Sequence, residues 1–128
     1  MGGRRFSLLP QTYAVARLPA DAPVPAGVLE APGFVSVSRT ADELSIVCPQ
    51  EAAPPAPGVD GGWRALKLHG PFAFDEVGIL AALLAPLAEA RIGIFAVSTF
   101  DTDYLLVKAA DLPRALATLR VAGHALEG

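Results

Sequence analysis

Apolar positions along this chain recur every second residue in some stretches and every third or fourth in others, and the switch between the two periods marks its elements. The stretch Val35–Val47 opens Val-Ser-Val-Ser, passes a polar centre at Thr40-Ala41-Asp42 and resumes at Leu44-Ser45-Ile46-Val47, which predicts a β-hairpin. Phe95–Val107 repeats the scheme around Asp101-Thr102-Asp103. The two stretches overlay without a gap at a constant offset of 60, and upstream Tyr13–Leu18 overlays Trp63–Leu68 at an offset of 50. Identities are few, so the repeat rests on pattern.

The period then changes. Leu80, Leu83, Leu84 and Leu87 fall on one face of a helix, with Asp75 placed as its cap and Pro86 predicted to kink its last turn. Leu112, Ala115, Leu116 and Leu119 mark a second helix, capped by Asp111 and ended by Gly123, after which His124-Ala125-Leu126 fits a short edge strand. In the first half, the connector between Pro23 and Pro32 leaves room for one or two turns around Val28 and Leu29. The order is β-α-β-β, then β-α-β-β-α. This predicts an α+β, ferredoxin-like fold of two β-α-β-β units, with antiparallel sheets and helices on one face. Residues 49–62 carry four prolines and no periodicity, and are expected to link a first half over 1–48 to a second over 63–128.

Composition narrows the function. The chain has 128 residues, enough for a real core, and is 52% hydrophobic and 18% charged, so it folds; the surplus of apolar over charged residues calls for covered surface. A net charge of −3 with scattered Lys and Arg offers no field for a nucleic-acid backbone or an anionic membrane surface. The uncharged run from Val77 to Ala88 is far short of the roughly 20 residues that cross a bilayer. Arg4-Arg5 followed by Phe6-Ser7-Leu8-Leu9 imitates a twin-arginine signal, but Pro10 and Gln11 interrupt the apolar stretch. A lone cysteine, Cys48, excludes an intrachain disulfide, and two histidines without a spaced third ligand make no metal case. The expectation is a cytoplasmic protein without cofactor or metal.

Several segments resemble the ACT domains of CASTOR-like bacterial proteins. They are Gly62-Trp63-Arg64-Ala65-Leu66-Lys67-Leu68-His69-Gly70-Pro71, Val77-Gly78-Ile79-Leu80, Ala85-Pro86-Leu87-Ala88-Glu89-Ala90 and Ser98-Thr99-Phe100-Asp101-Thr102-Asp103-Tyr104-Leu105-Leu106-Val107. Thr40–Pro49 looks like the matching piece of that family's first half. Arg91, after the first helix, stands where a glycine is expected. The resemblance implies two ACT-like halves, related to the regulatory domains of aspartate kinases, that bind a small ligand rather than catalyse. It places the ligand between an adjoining ACT unit and the loop from first strand to helix. On this chain that means Gly70, Asp75, Glu76, Val77, Gly78 and Ile79, facing a strand end at Ser98, Thr99, Phe100, Asp101 and Asp103.

These residue types suit a zwitterion. A helix N-terminus offers free N–H groups to a carboxylate, and Gly78 lets a ligand approach them. Asp101 is a candidate partner for an ammonium, although acids in a first helical turn or at a hairpin tip are also ordinary solvated groups, and Phe100 reads as core more readily than as cover. The expectation is therefore an amino-acid-binding regulatory protein, a homodimer, and not an enzyme. The alternatives are an oligomerisation module without ligand, and a small hydrolase pairing His69 with Cys48 or Ser98.

Overall fold

A computed structural model describes residues 3–70 and 78–127. Its elements are β1 (Arg5–Leu18), β2 (Ser36–Arg39), β3 (Leu44–Pro49), β4 (Val59–Leu68), α1 (Ile79–Glu89), β5 (Ile94–Ser98), β6 (Asp103–Lys108), α2 (Leu112–Val121) and β7 (Ala125–Leu126). Short 3-10 turns follow β3 at Gln50–Ala52 and β6 at Ala109–Asp111. The chain divides into two compact units: residues 10–63 form one, and residues 1–9 with 64–128 form the other.

In the 10–63 unit the strand order is β2-β3-β1-β4. β3 runs antiparallel to both neighbours, with Leu18 opposite Leu44 and Arg39 opposite Leu44 on the other side. Arg17 N–H donates to the Gly58 carbonyl at the start of β4. The core is Ala16, Val28, Leu44, Ile46 and Cys48. No helix spans 19–35; prolines at 19, 23, 25 and 32 stop each turn before a second can form, and the hydrogen bonds are single turns such as Val28 N–H to Pro25 O. Val28 is fully buried and Ala22 and Val24 pack beside it against the core, while Leu29 is exposed. The connector is held by the Arg39 guanidinium, which donates to the Ala20 and Ala22 carbonyls, and by Tyr13, whose hydroxyl accepts from Phe34 N–H.

In the other unit the order is β7-β1-β4-β6-β5, with β7 parallel to β1 and β5 antiparallel to β6. His69 N–H donates to the Arg5 carbonyl where β4 ends. Helices α1 and α2 pack through Ile79, Leu83, Leu87, Ala115 and Leu119 onto Phe6, Leu66, Leu68, Leu105 and Val107. Each large side chain so buried contributes about 1.5–3 kcal/mol before entropy is subtracted. The fold is the expected α+β, ferredoxin-like one, β-α-β-β with a second crossover. Its fourth-strand place beside β4 is filled by the start of β1, and in the 10–63 unit the place beside β1 is filled by the start of β4. β4 begins at Val59, inside the proline-rich stretch, which also holds the Gln50–Ala52 turn.

The repeat register differs by one residue from the offset of 60. Thr40 N–H donates to Glu43 O, and Thr99 N–H to Thr102 O; Arg39 pairs with Leu44, and Ser98 with Asp103; turn 50–52 answers turn 109–111. Every correspondence is 59 apart, and it matches the core residues Ile46 and Cys48 with Leu105 and Val107. A one-residue slip exchanges inward and outward faces, so the overlay by residue type put each hairpin's core on the wrong side.

The helix ends also depart from expectation. Helix α1 starts at Ile79 with Gly78 as its N-cap at φ 77°, so the cap falls to Gly78; Asp75, expected there, lies outside the described residues. Asp111 sits at the N-cap of α2 without a capping bond, its carboxylate accepting instead from Arg114 at 3.3 Å. Both helices close with the same C-terminal pair of bonds: Arg91 N–H to Ala88 O with Ile92 N–H to Leu87 O, and Gly123 N–H to Arg120 O with His124 N–H to Leu119 O. The residue after each cap is left-handed, glycine in α2 but Arg91 in α1 at φ 61°. The arginine tolerates a conformation that costs a side chain about 1–2 kcal/mol.

Pro86 has a specific answer. Having no N–H, it leaves the Ala82 carbonyl four residues back without a helical donor. His124 Nε2 donates to that carbonyl at 2.9 Å, while its Nδ1 accepts from Arg4 N–H at 2.9 Å. The buried imidazole thus joins α1 to the start of β1. His124→Ala should cost about 2–4 kcal/mol in chemical denaturation, since it strands two backbone groups. Pro86→Ala restores a donor for Ala82, so in that background the same substitution should cost measurably less; an equal cost in both would show the bond to be incidental.

Candidate functional site

The C-terminal end of β4 is tied to the β5–β6 turn, which carries the expected residues Ser98 to Asp103. The β5–β6 connection is a tight turn over 99–102: Thr99 N–H and Oγ1 both donate to Thr102 O, at 2.8 and 3.0 Å, and Thr102 N–H returns a bond to Thr99 Oγ1. Thr102 is buried, and its Oγ1 donates to the Leu68 carbonyl at 2.8 Å. One hydroxyl therefore ties the turn to the last residue of β4, two positions before Gly70. The sequence pattern placed Thr102 at the polar centre of the turn and gave no signal of its tether, since its counterpart in the first hairpin is Glu43.

The other turn residues divide by partner. Ser98 Oγ donates to the Asp103 carboxylate, so those two satisfy each other. The Asp101 carboxylate is exposed and has no hydrogen bond or ion pair among the described residues. Phe100 is 77% exposed, which overturns its reading as core: the turn points its ring into solvent. Gly70 and Gly78 are exposed and Ile79 is buried in the helix packing. Beside Gly78 an added Cβ would meet nothing within 4 Å among the described residues. Having no side chain, Gly78 supplies no acceptor of its own to the first N–H groups of α1. Asp75, Glu76 and Val77 lie outside the described residues.

The nucleophile pairings proposed for His69 do not form. Its Nε2 is 2.6 Å from Ser7 Oγ, Ser98 is engaged by Asp103, and Cys48 is buried in the core of the 10–63 unit, where burial pushes its thiol up from its ordinary value. The thiolate is the nucleophilic form, so Cys48 is held in the inert one. Among the described residues no group of three or more His, Cys, Asp or Glu could hold a metal ion, and no helix is long and apolar enough to cross a membrane.

Comparison with known proteins places this geometry. An ACT-domain family model matches residues 58–121, half of the chain, and a model of an N-terminal domain matches residues 11–56. The chain belongs to the ACT-domain family, among its CASTOR-like members. It is 46% identical over 46 residues to the human cytosolic arginine sensor for mTORC1 subunit 1, a match that covers 35% of this chain and 14% of that protein. It is 31% identical over 99 residues to the human putative protein CASTOR3P, covering 67% of this chain and 61% of that one. The chain thus spans less than two thirds of either relative. Among solved structures, protein Atu0741 from Agrobacterium tumefaciens superposes with a TM-score of 0.91 at 46% identity, covering 99% of this chain and 94% of that one. The regulatory subunit of aspartate kinase from Thermus thermophilus does so at 0.60 and 11% identity, covering 92% and 97%, a likeness of fold.

In this ACT unit the Thr102 tether is a structural bond, and it is separable from chemistry at the turn surface. Thr102→Val keeps the shape, removes the donor to Leu68, and should lower stability by about 1–2 kcal/mol in urea or guanidinium unfolding. Unchanged stability would mean that the turn is placed by its backbone alone.

Proposed function

We propose that this ACT-domain protein is a regulatory sensor that binds an amino acid, and that it does not catalyse a reaction. The ligand lies at the end of β4, between the loop and helix start (Gly70, Asp75, Glu76, Val77, Gly78 and Ile79) and the turn (Ser98, Thr99, Phe100, Asp101 and Asp103). The observation that carries this reading is the Thr102–Leu68 bond, which holds the turn bearing Asp101, a carboxylate with no partner among the described residues, at the end of β4. The roles follow from charge. The first N–H groups of α1, over which Gly78 presents no side chain, receive the carboxylate with the favourable end of the helix dipole. Asp101 receives the ammonium or a cationic side chain, and the exposed Phe100 ring covers the apolar part.

A turn that presents a carboxylate and an aromatic ring to solvent is half a site. A second ACT unit from another copy completes it, which also gives the apolar surplus of the chain a surface to cover; the protein is accordingly a homodimer. That the human relative is named as an arginine sensor, and that the fold is shared with a regulatory subunit of aspartate kinase, both support an amino acid as the ligand class. The relative's name also supports a cytosolic location.

A thermal-shift screen against the standard amino acids tests the reading. A ligand at 100-fold its Kd should add about 2.7 kcal/mol of stability. Asp101→Ala should abolish that shift while leaving the Tm of the free protein unchanged. No shift with any amino acid, or equal loss of shift and of free stability in the variant, would overturn it.

A further inference from the structure

Away from the β4 end, the ACT unit has a second concavity, of about 580 Å³, between α2 and the β1–β7 strand pair. Its size falls within the range of roughly 300–1,000 Å³ usual for small-molecule sites. Phe6 and Leu116 form apolar wall, Pro113 and Ala117 continue it along α2, and Leu126 of β7 lies opposite. Helix α2 has already spent one face on the core through Ala115 and Leu119. Pro113, Leu116, Ala117 and Arg120, at spacings of three, four and seven, form a stripe that lines this space, with Leu116 at its border packing against the core as well.

The polar lining is one-sided. His124 borders the cavity, but its Nδ1 is occupied by Arg4 N–H and its Nε2 by the Ala82 carbonyl, so it is wall rather than partner. Arg120 also borders the cavity, and its guanidinium has no hydrogen bond or ion pair among the described residues. Among the described residues no carboxylate lines the space; Glu127, next along the chain, is turned to Arg5 at 4.0 Å. Among the described residues, an occupant therefore meets apolar surface, the Arg120 cation, and no group to receive an ammonium.

We propose that this concavity binds an apolar monocarboxylate that lacks an amino group, of the class of medium-chain fatty acids and branched 2-oxo acids, with its carboxylate on the Arg120 fork. The occupant differs from that of the β4-end site by the very group, the ammonium, for which Asp101 is proposed there. No lining residue belongs to that site, so the two proposals stand or fall separately.

The test uses the whole chain with octanoate and 4-methyl-2-oxopentanoate as probes, followed by calorimetry and by the methyl resonances of Leu116 and Leu126. At least one carboxylate should bind and shift those methyls, and the preferred probe separates fatty acid from oxo acid. Octanamide, and leucine in place of its oxo acid, should bind at least about tenfold more weakly. Arg120→Met should lose at least about tenfold in affinity with no change in free Tm, Arg120→Lys should retain part of it, and Asp101→Ala should leave it intact. Equal binding of the amide, undiminished binding by Arg120→Met, or failure of both carboxylates to move the Leu116 and Leu126 methyls would overturn the proposal.

Discussion

The structure depends on two long strands whose ends do different jobs. Residues 10–18 of β1 are the first strand of one ACT unit while residues 5–9 fill the fourth-strand place in the other, and β4 does the reverse with residues 64–68 and 59–63. A first strand without a neighbour on its outer side would present a row of unpaired N–H and C=O groups. In each unit that place is taken by a stretch of β1 or β4. The remaining devices follow from this demand. His124 fastens the very start of β1 through Arg4, and the Arg17 bond to Gly58 fixes the start of β4 in the 10–63 unit.

The two units spend their crossovers differently. In the 64–128 unit, α1 and α2 lay a leucine-rich layer over the strands. In the 10–63 unit, a proline-rich connector offers Val28 with Ala22 and Val24 as cover, and the 3-10 turn after β3 runs into Pro54, Pro55 and Pro57 rather than continuing as the turn after β6 does into α2. Among the described residues a helix follows the first strand only in the 64–128 unit, and the proposed amino-acid site is accordingly assigned there.

Much of this was legible in the chain. Periodicity marked both hairpins and both helices, because their inward positions are apolar at the right spacing; the short last strand, whose two residues are exposed, followed from its place after the second helix. The strand exchange was not, since Pro10 and Gly61-Gly62 read as breakers although β1 and β4 run through them. The repeat offset missed by one because aligning residue types brought Asp42-Glu43-Leu44 onto Thr102-Asp103-Tyr104, whereas the hydrogen bonds of Thr40 and Thr99 align the turns themselves. Arg91 was noticed as the wrong residue for its turn, and its positive φ gives that observation a physical basis. The ligand residues came as a set from family resemblance. The structure distinguishes among them: Ser98 and Asp103 answer each other, while Asp101 and Phe100 face solvent.

The central claim is that an amino acid is received where β4 ends and α1 begins. Backbone amide mapping by NMR during titration tests it most directly, because amides report the ligand's place without altering any side chain. The account predicts that one amino acid shifts the amides of Gly70, Gly78 and Ile79 together with those of 98–103, and leaves those of Val28 and Ile46 unmoved. Shifts confined to other segments, or none with any amino acid, would contradict it.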